Sequence, residues 1–330
     1  MLTRADMIVP GLAPRGSTLP LEGEGGASRR PPRSRAAPVE AASPAIARVW
    51  FDGELVDADG PRVGVTTHAL HYGSGVFEGI RAYATRDGAA VFRLADHLER
   101  MRKGATLLGI AFDPDVAAEA VVRTLRANGH RDAYVRPLAW VGAGSFGLDV
   151  AGHAQHFMVA TTPTPVHLGG ARTRLGVSRW RRNPARALPP LKLCGGYVNS
   201  ILAKREAKAR GCDEALFVDD DGFVVECTGA NVFAVSGDRI VAVEHADALP
   251  GITRDTLVAT CGAECRPMSL AELRDADEVF VCGTAAEVTP IAALEEREYG
   301  VGPVTREIAA LYARLVRGLE SMPAAWLATA

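Results

Sequence analysis

The segment Lys192-Leu193-Cys194-Gly195-Gly196-Tyr197-Val198-Asn199-Ser200 is the point from which this 330-residue chain is best approached. It follows Pro189-Pro190-Leu191 and precedes Ile201 to Arg210, whose amphipathic pattern reads as a helix. The lysine therefore sits on irregular backbone just ahead of a rigid element, where its side chain can point into a cleft. A lysine amine that is desolvated, or set among other cations, loses proton affinity and becomes a nucleophile able to form a Schiff base with an aldehyde. The segment alone favours a surface lysine at a helix start, so its meaning depends on the rest of the chain.

Composition sets outer bounds. Hydrophobic residues make up 48% and charged residues 23%, values of a soluble globular protein, and the length suffices for one large domain or two of ordinary size. A formal charge of -2 gives no reason to expect nucleic acid or an anionic membrane as partner. No apolar run approaches the ~18 residues of a membrane span. The six cysteines are scattered without a Cys-x-x-Cys pair, which predicts reduced thiols and a cytoplasmic location. His68 and His71 lack a cysteine or carboxylate at ligand spacing, so no metal site is predicted.

Residues 1–45 are rich in Pro, Gly, Ala and Arg without helix or strand period, and are expected to be a disordered tail. Arg48 to Val56 reads as two short strands about Asp52-Gly53, and Thr67 to Gly79 as too glycine-rich for a regular element. Ile80 to Tyr83 and Ala89 to Leu94 form a second predicted hairpin. Asp96 is then placed to cap a helix with Leu98, Met101, Ala105 and Leu108 on one face and Arg100 off that stripe. A helix from Pro114 to Asn128, two strand-like runs (133–141 and 155–161) and the connector Thr162-Pro163-Thr164-Pro165 follow. Beyond Lys192, β character dominates in 215–218, 223–226, 231–235, 239–243 and 278–282. Gly251 opens a helix, and a last helix from Pro303 carries Val304, Ile308, Leu311, Leu315 and Leu319 on one face. No Gly-x-Gly-x-x-Gly opens a helix, which argues against a dinucleotide-binding fold.

Seven motifs occur in order: Tyr72-Gly73 with Phe77-Glu78-Gly79; His97-Leu98-Glu99-Arg100; Tyr134-Val135-Arg136-Pro137-Leu138; Lys192 with Gly195 and Tyr197; Glu226 with Gly229 and Asn231; Leu249 to Arg254; and Gly283 to Glu287. Over residues 48 to 320 the chain resembles the fold-type IV, class IV pyridoxal-phosphate-dependent aminotransferases, and among them the branched-chain amino acid enzymes. That resemblance implies a two-domain α/β (α+β) fold with the active site between the domains. The smaller N-terminal domain would span 46–162 and the larger, β-rich domain 171–330, joined by an interdomain loop at 163–170.

It also implies roles. Lys192 would be the catalytic residue, joined to the pyridoxal 5'-phosphate cofactor through a carbon–nitrogen double bond and, once freed, moving the substrate's α-proton. Glu226 would face the pyridine nitrogen and Tyr197 the ring's phenolic oxygen. Ile252 and Thr253 at a helix start, Arg100 and Thr284 would hold the phosphate. Phe77, Tyr134 and Ala285 would wall the substrate pocket with Arg136 near its mouth, while Tyr72 and Leu148 would come from a neighbouring subunit of a homodimer or larger assembly. The implied reaction passes nitrogen from leucine, isoleucine or valine to 2-oxoglutarate. Thr164 and His167 in the interdomain loop, Gly196 and Ala230 depart from the pattern. They leave open a D-amino acid or (R)-amine aminotransferase, an aminodeoxychorismate lyase-like enzyme, or a specialised amino-acid-tailoring role. A non-catalytic protein retaining the fold is the contrasting reading, and the presence of Lys192 with Glu226 and Arg100 weighs against it.

Overall fold

Asp52 and Gly53 both take positive φ (46° and 102°), the geometry of a tight two-residue turn, and so fold β1 (Arg48–Phe51) back on β2 (Glu54–Asp57). The computed structural model describes residues 47–163 and 173–330, and these residues form one unit. The chain continues through α1 (His68–Tyr72), β3 (Gly75–Phe77), β4 (Ile80–Thr85), β5 (Gly88–Phe92), α2 (Leu94–Leu107), α3 (Pro114–Asn128), β6 (Ala133–Val141) and β7 (Gln155–Pro163). It resumes with β8 (Thr173–Val177), α4 (Tyr197–Ala209), β9 (Glu214–Val218), β10 (Val224–Cys227), β11 (Asn231–Ser236) and β12 (Arg239–Val243). Then come α5 (Ile252–Cys261), β13 (Glu264–Arg266), α6 (Leu270–Asp275), β14 (Glu278–Gly283), β15 (Glu287–Leu294), β16 (Arg297–Glu298), α7 (Pro303–Leu315) and β17 (Leu327–Thr329).

Two sheets organise these elements. The first runs β17-β5-β4-β6-β7-β1-β2, with β3 added beside β6, and every pairing in it is antiparallel. The second runs β10-β9-β8-β15-β14-β11-β12-β13, with β16 beside β15, and mixes parallel and antiparallel pairs. This is the mixed α/β architecture that the motifs imply.

Both sheets pack against helices, and the second is buried on both faces. In the first, Ile80, Val91 and Val135 meet Leu98 of α2 and Val121 and Leu125 of α3. Fully burying one such side chain contributes about 1.5–3 kcal/mol. Helix α3 follows the local rules: the Asp113 carboxylate accepts from the Asp115 and Val116 amides, Pro114 takes the first turn, and Gly129 ends it in the left-handed region. Another cluster joins the sheets. Tyr83 and Phe92 of the first pack with Phe233, Phe280, Leu257 and Tyr312 of the second. Among the described residues no helix is long and apolar enough to cross a membrane.

Several expectations need correction. The stretch 67–79 does form regular elements, α1 and β3, because Gly73 closes the short helix at φ 67°. Helix α2 begins two residues before Asp96, with Arg93 at the capping position and no side-chain cap. Leu319 lies past the end of α7 and is exposed, so it is not on that helix's buried face. Strands β8, β13, β15, β16 and β17 and helix α6 have no counterpart among the elements expected from the sequence. The expected tail (1–45) and most of the expected interdomain loop (163–170) lie outside the described residues.

Candidate active site

Lys192 is held by backbone laced to the β3 segment. Its carbonyl accepts from the Phe77 amide at 3.1 Å, and the Gly195 amide donates to the Gly73 carbonyl at 3.1 Å. The two strands of chain approach so closely that a Cβ on Gly73 would come within 2.6 Å of the Gly195 Cα. A glycine is needed there for space as well as for φ. The tether turns the lysine toward α4, whose first residue, Tyr197, accepts from Lys192 Nζ at 3.0 Å through its hydroxyl. Phe77 packs edge-on against the Tyr197 ring, 4.7 Å between centroids.

These groups line a cavity of about 510 Å³. Arg100, Lys192, Tyr197, Glu226, Ile252, Thr253 and Thr284 all lie on its wall, as do Phe77, Tyr134, Arg136 and Ala285. Tyr72 and Leu148 do not line it. They are 48% and 78% exposed, with the Tyr72 hydroxyl donating to the Phe146 carbonyl at 2.8 Å.

One patch of the wall is cationic. Arg100, which periodicity alone leaves on a solvated helix face, is buried (9% exposed), and the reason is Glu78. That fully buried carboxylate accepts from Arg100 Nε and Nη2 at 2.7 and 2.9 Å and contacts His97 Nδ1 at 2.8 Å. Burial alone would raise the Glu78 carboxyl. The charges of Arg100 and His97 and their hydrogen bonds outweigh it and hold the group well below the usual carboxylate range. Burial also lowers His97, with the Glu78 charge opposing. Arg100 Nη1 donates to the Pro250 carbonyl at 2.7 Å, which brings it to the start of α5. Helix α5 has no side-chain cap, so the amides of its first turn, on Ile252 and Thr253, are left for another acceptor at the cavity wall. Its capping Gly251 has no room for a side chain, since a Cβ would collide with the Asn231 carboxamide oxygen.

The second patch presents an acid. Glu226 lies within β10 and is 4% exposed. Its Oε1 is 2.8 Å from Arg182 Nε, and its Oε2 accepts from the Leu249 amide at 3.2 Å and, at 3.4 Å, from the Asn231 carboxamide. Burial raises the carboxyl, and Arg182, the Leu249 amide and Lys192 recover only part of that. A buried anion left in this condition gains from a further cation brought into the cavity. The arrangement therefore suits a ligand with a multiply charged anion on one part and a protonatable nitrogen on another, beside a lysine that can bond to its carbonyl. Among the described residues no group of three or more His, Cys, Asp and Glu could hold a metal ion.

Sequence reasoning gave no role to Glu78 or Arg182. Glu78 carried a signal: it stands between Val76 and Ile80, both fully buried, in the short link from β3 to β4, and an acid enclosed by core residues demands a partner. Arg182 carried none, standing in an arginine-rich, irregular run.

The profile of amino-transferase class IV matches residues 75–294. The chain belongs to the class IV aminotransferases. Among class IV members it is 36% identical over 294 residues to the branched-chain-amino-acid aminotransferase of Pseudomonas aeruginosa, covering 84% of this chain and 95% of that one. The branched-chain amino acid aminotransferase of T.th., complexed with N-(5'-phosphopyridoxyl)-L-glutamate, superposes with a TM-score of 0.82 at 40% identity, covering 86% and 98% of the two chains. The branched-chain aminotransferase of Thermoproteus uzoniensis with norvaline gives 0.81 at 39% identity, covering 85% and 98%.

Proposed function

We propose that this class IV aminotransferase uses pyridoxal 5'-phosphate to pass nitrogen from a branched-chain L-amino acid to 2-oxoglutarate. The observation that carries the reading is the pairing of a cationic patch, Arg100 with the open first turn of α5, with an under-compensated buried acid, Glu226, around one lysine. The relatives named above, two of them bound to a phosphopyridoxyl-glutamate and to an aliphatic amino acid, support the cofactor and the substrate class.

Pyridoxal phosphate, when bound, supplies an aldehyde for the amino group and an electron-withdrawing ring. The chain's own residues do the rest. Arg100, the Ile252 and Thr253 amides and the Thr284 hydroxyl hold the phosphate. Glu226, kept in place by Arg182, retains a proton on the ring nitrogen, since a nearby carboxylate favours the cation. Tyr197 bonds the phenolic oxygen and holds Lys192 Nζ at 3.0 Å. Lys192 is the base that takes the substrate's α-proton and returns a proton to the neighbouring carbon. Phe77, Tyr134 and Ala285 form an apolar wall that suits an aliphatic side chain, at roughly 0.8 kcal/mol per buried CH₂. Arg136, with its guanidinium 4.7 Å from the Phe77 ring centre, receives a carboxylate.

The first sheet's residues (46–162) and those from 171 onward serve as the two domains, with β17 returning to the first sheet's edge. A homodimer belongs to the same reading, because exposed Leu70, Tyr72, Phe146 and Leu148 have no use in a monomer's cavity. A monomer by light scattering would remove it. The free cysteines among the described residues fit a cytoplasmic location.

The test is a half-reaction screen on the yellow holoprotein. L-leucine should bleach the absorption band, and borohydride should fix the cofactor at Lys192, with Lys192→Ala slowing turnover by about 10⁴-fold. Bleaching by D-alanine or an (R)-amine but not by L-leucine would overturn the substrate class.

A further inference from the structure

The two halves of the anion cradle lie on different elements, Arg100 on α2 and the open amides on α5. The residue that joins them is Arg93, seven positions and two turns before Arg100. It is buried, and its backbone sits at φ 51°, a left-handed conformation unfavourable for a residue with a side chain. Its contacts show what holds it there. Arg93 Nη1 donates to Asp255 Oδ2 at 2.7 Å, to Thr256 Oγ1 at 3.2 Å and to the Ile252 carbonyl at 3.5 Å, all in the first turns of α5. Its Nε donates to Asp96 Oδ2 on its own helix at 2.7 Å.

The end of the chain closes this arrangement. The Arg93 amide donates to the Trp326 carbonyl at 2.7 Å, and the guanidinium lies 4.9 Å from the Trp326 ring centre. Directly after Trp326, β17 pairs with β5, setting Leu327, Ala328 and Thr329 opposite Phe92, Val91 and Ala90. Arg93 is the residue that follows β5. The terminal strand thus holds the strained residue from one side, and α5 holds its side chain from the other.

We propose that Arg93, clamped by Trp326 and β17, fixes α5 against α2 and is a positioning residue for the phosphate group of pyridoxal phosphate. Two aspartates, Asp96 and Asp255, neutralise its charge, so its contribution is placement rather than field. The fork of a guanidinium reaches Asp96 and α5 together, and a lysine ammonium at the same position cannot. The inference rests on the phosphate reading of the cavity given above.

Equilibrium binding to the apoprotein separates this role from a general structural one. Wild type should bind pyridoxal phosphate far more tightly than pyridoxal, which lacks the phosphate. Arg93→Lys should weaken pyridoxal phosphate on the order of tenfold, as loss of a supporting residue does at other ligand sites, and leave pyridoxal unchanged. Trp326→Ala, which keeps Arg93 intact, should move the ratio the same way by less, and serves if the arginine variant fails to fold. Equal weakening of both ligands, or no weakening of either, would overturn the clamp. A wild type that does not distinguish pyridoxal phosphate from pyridoxal would instead overturn the phosphate reading of the cavity.

Discussion

Two buried glutamates serve the same cavity in opposite ways. Glu78 stands behind Arg100, absent from the cavity wall, while Arg100 faces the ligand space. Glu226 is itself on the wall, with Arg182 beside it. The first acid is met by a two-pronged arginine and a histidine, and its carboxyl is held low. The second has one short arginine contact and two longer bonds, and burial keeps its carboxyl raised. The order of the pair decides which charge the ligand meets. An arginine backed by an acid is a fixed cation for an anion, whereas an acid only partly met by arginine remains receptive to a second cation.

That contrast predicts different damage from the same chemical change. Glu78→Gln leaves Arg100 buried without its counter-ion and should cost about 3–5 kcal/mol of folding stability at pH 7, read by denaturant unfolding. The sign with pH follows from the lowered carboxyl. Its contribution is complete above the unfolded value of 4.5 and is lost as the solution is acidified through the folded value, so the gap between wild type and variant should narrow only in acid. A gap independent of pH down to acid unfolding would show that Glu78 is not the anion proposed. Glu226→Gln should do less to folding, since its carboxyl is already disfavoured as an anion. It should instead lower turnover on the order of 10²-fold, with cofactor affinity less affected, because it removes the charge that keeps the ring nitrogen protonated. Equal stability losses in both variants would erase the distinction between the patches.

The sequence exposed what is local and concealed what is assembled from afar. The Lys192 segment, the Gly251 helix start and the hairpins about Asp52-Gly53 and Asp219 to Gly222 are written in neighbouring residues, and their elements stand where expected. Arg100 could not be placed from its helix, because its burial depends on an acid 22 positions earlier, in the link between β3 and β4. Strand β15 contains Pro290, which breaks the expected strand pattern yet pairs opposite Phe280. Strand β17 is three residues long and acquires meaning only where it meets β5, more than 230 positions earlier. Arg93 combines both difficulties, since neither its left-handed backbone nor its α5 partners leave any mark nearby in the chain.

Tyr197 gives the mildest test of the contrast, since it belongs to neither patch. Its hydroxyl accepts from Lys192 Nζ, and its ring rests on Phe77. Tyr197→Phe keeps the ring packing and removes the hydroxyl, with its bond to Lys192 Nζ and the one it would make to the cofactor's phenolic oxygen, so folding should change little. A typical bond of this kind contributes about 1 kcal/mol, enough to lower kcat roughly fivefold if it is made only while the proton moves. The loss should appear in kcat more than in KM, because the bond orients the lysine rather than the incoming amino acid. A rise in KM at constant kcat would place the hydroxyl in substrate binding, and the lysine's orientation would then have to come from the backbone tether at Gly73 and Phe77 alone.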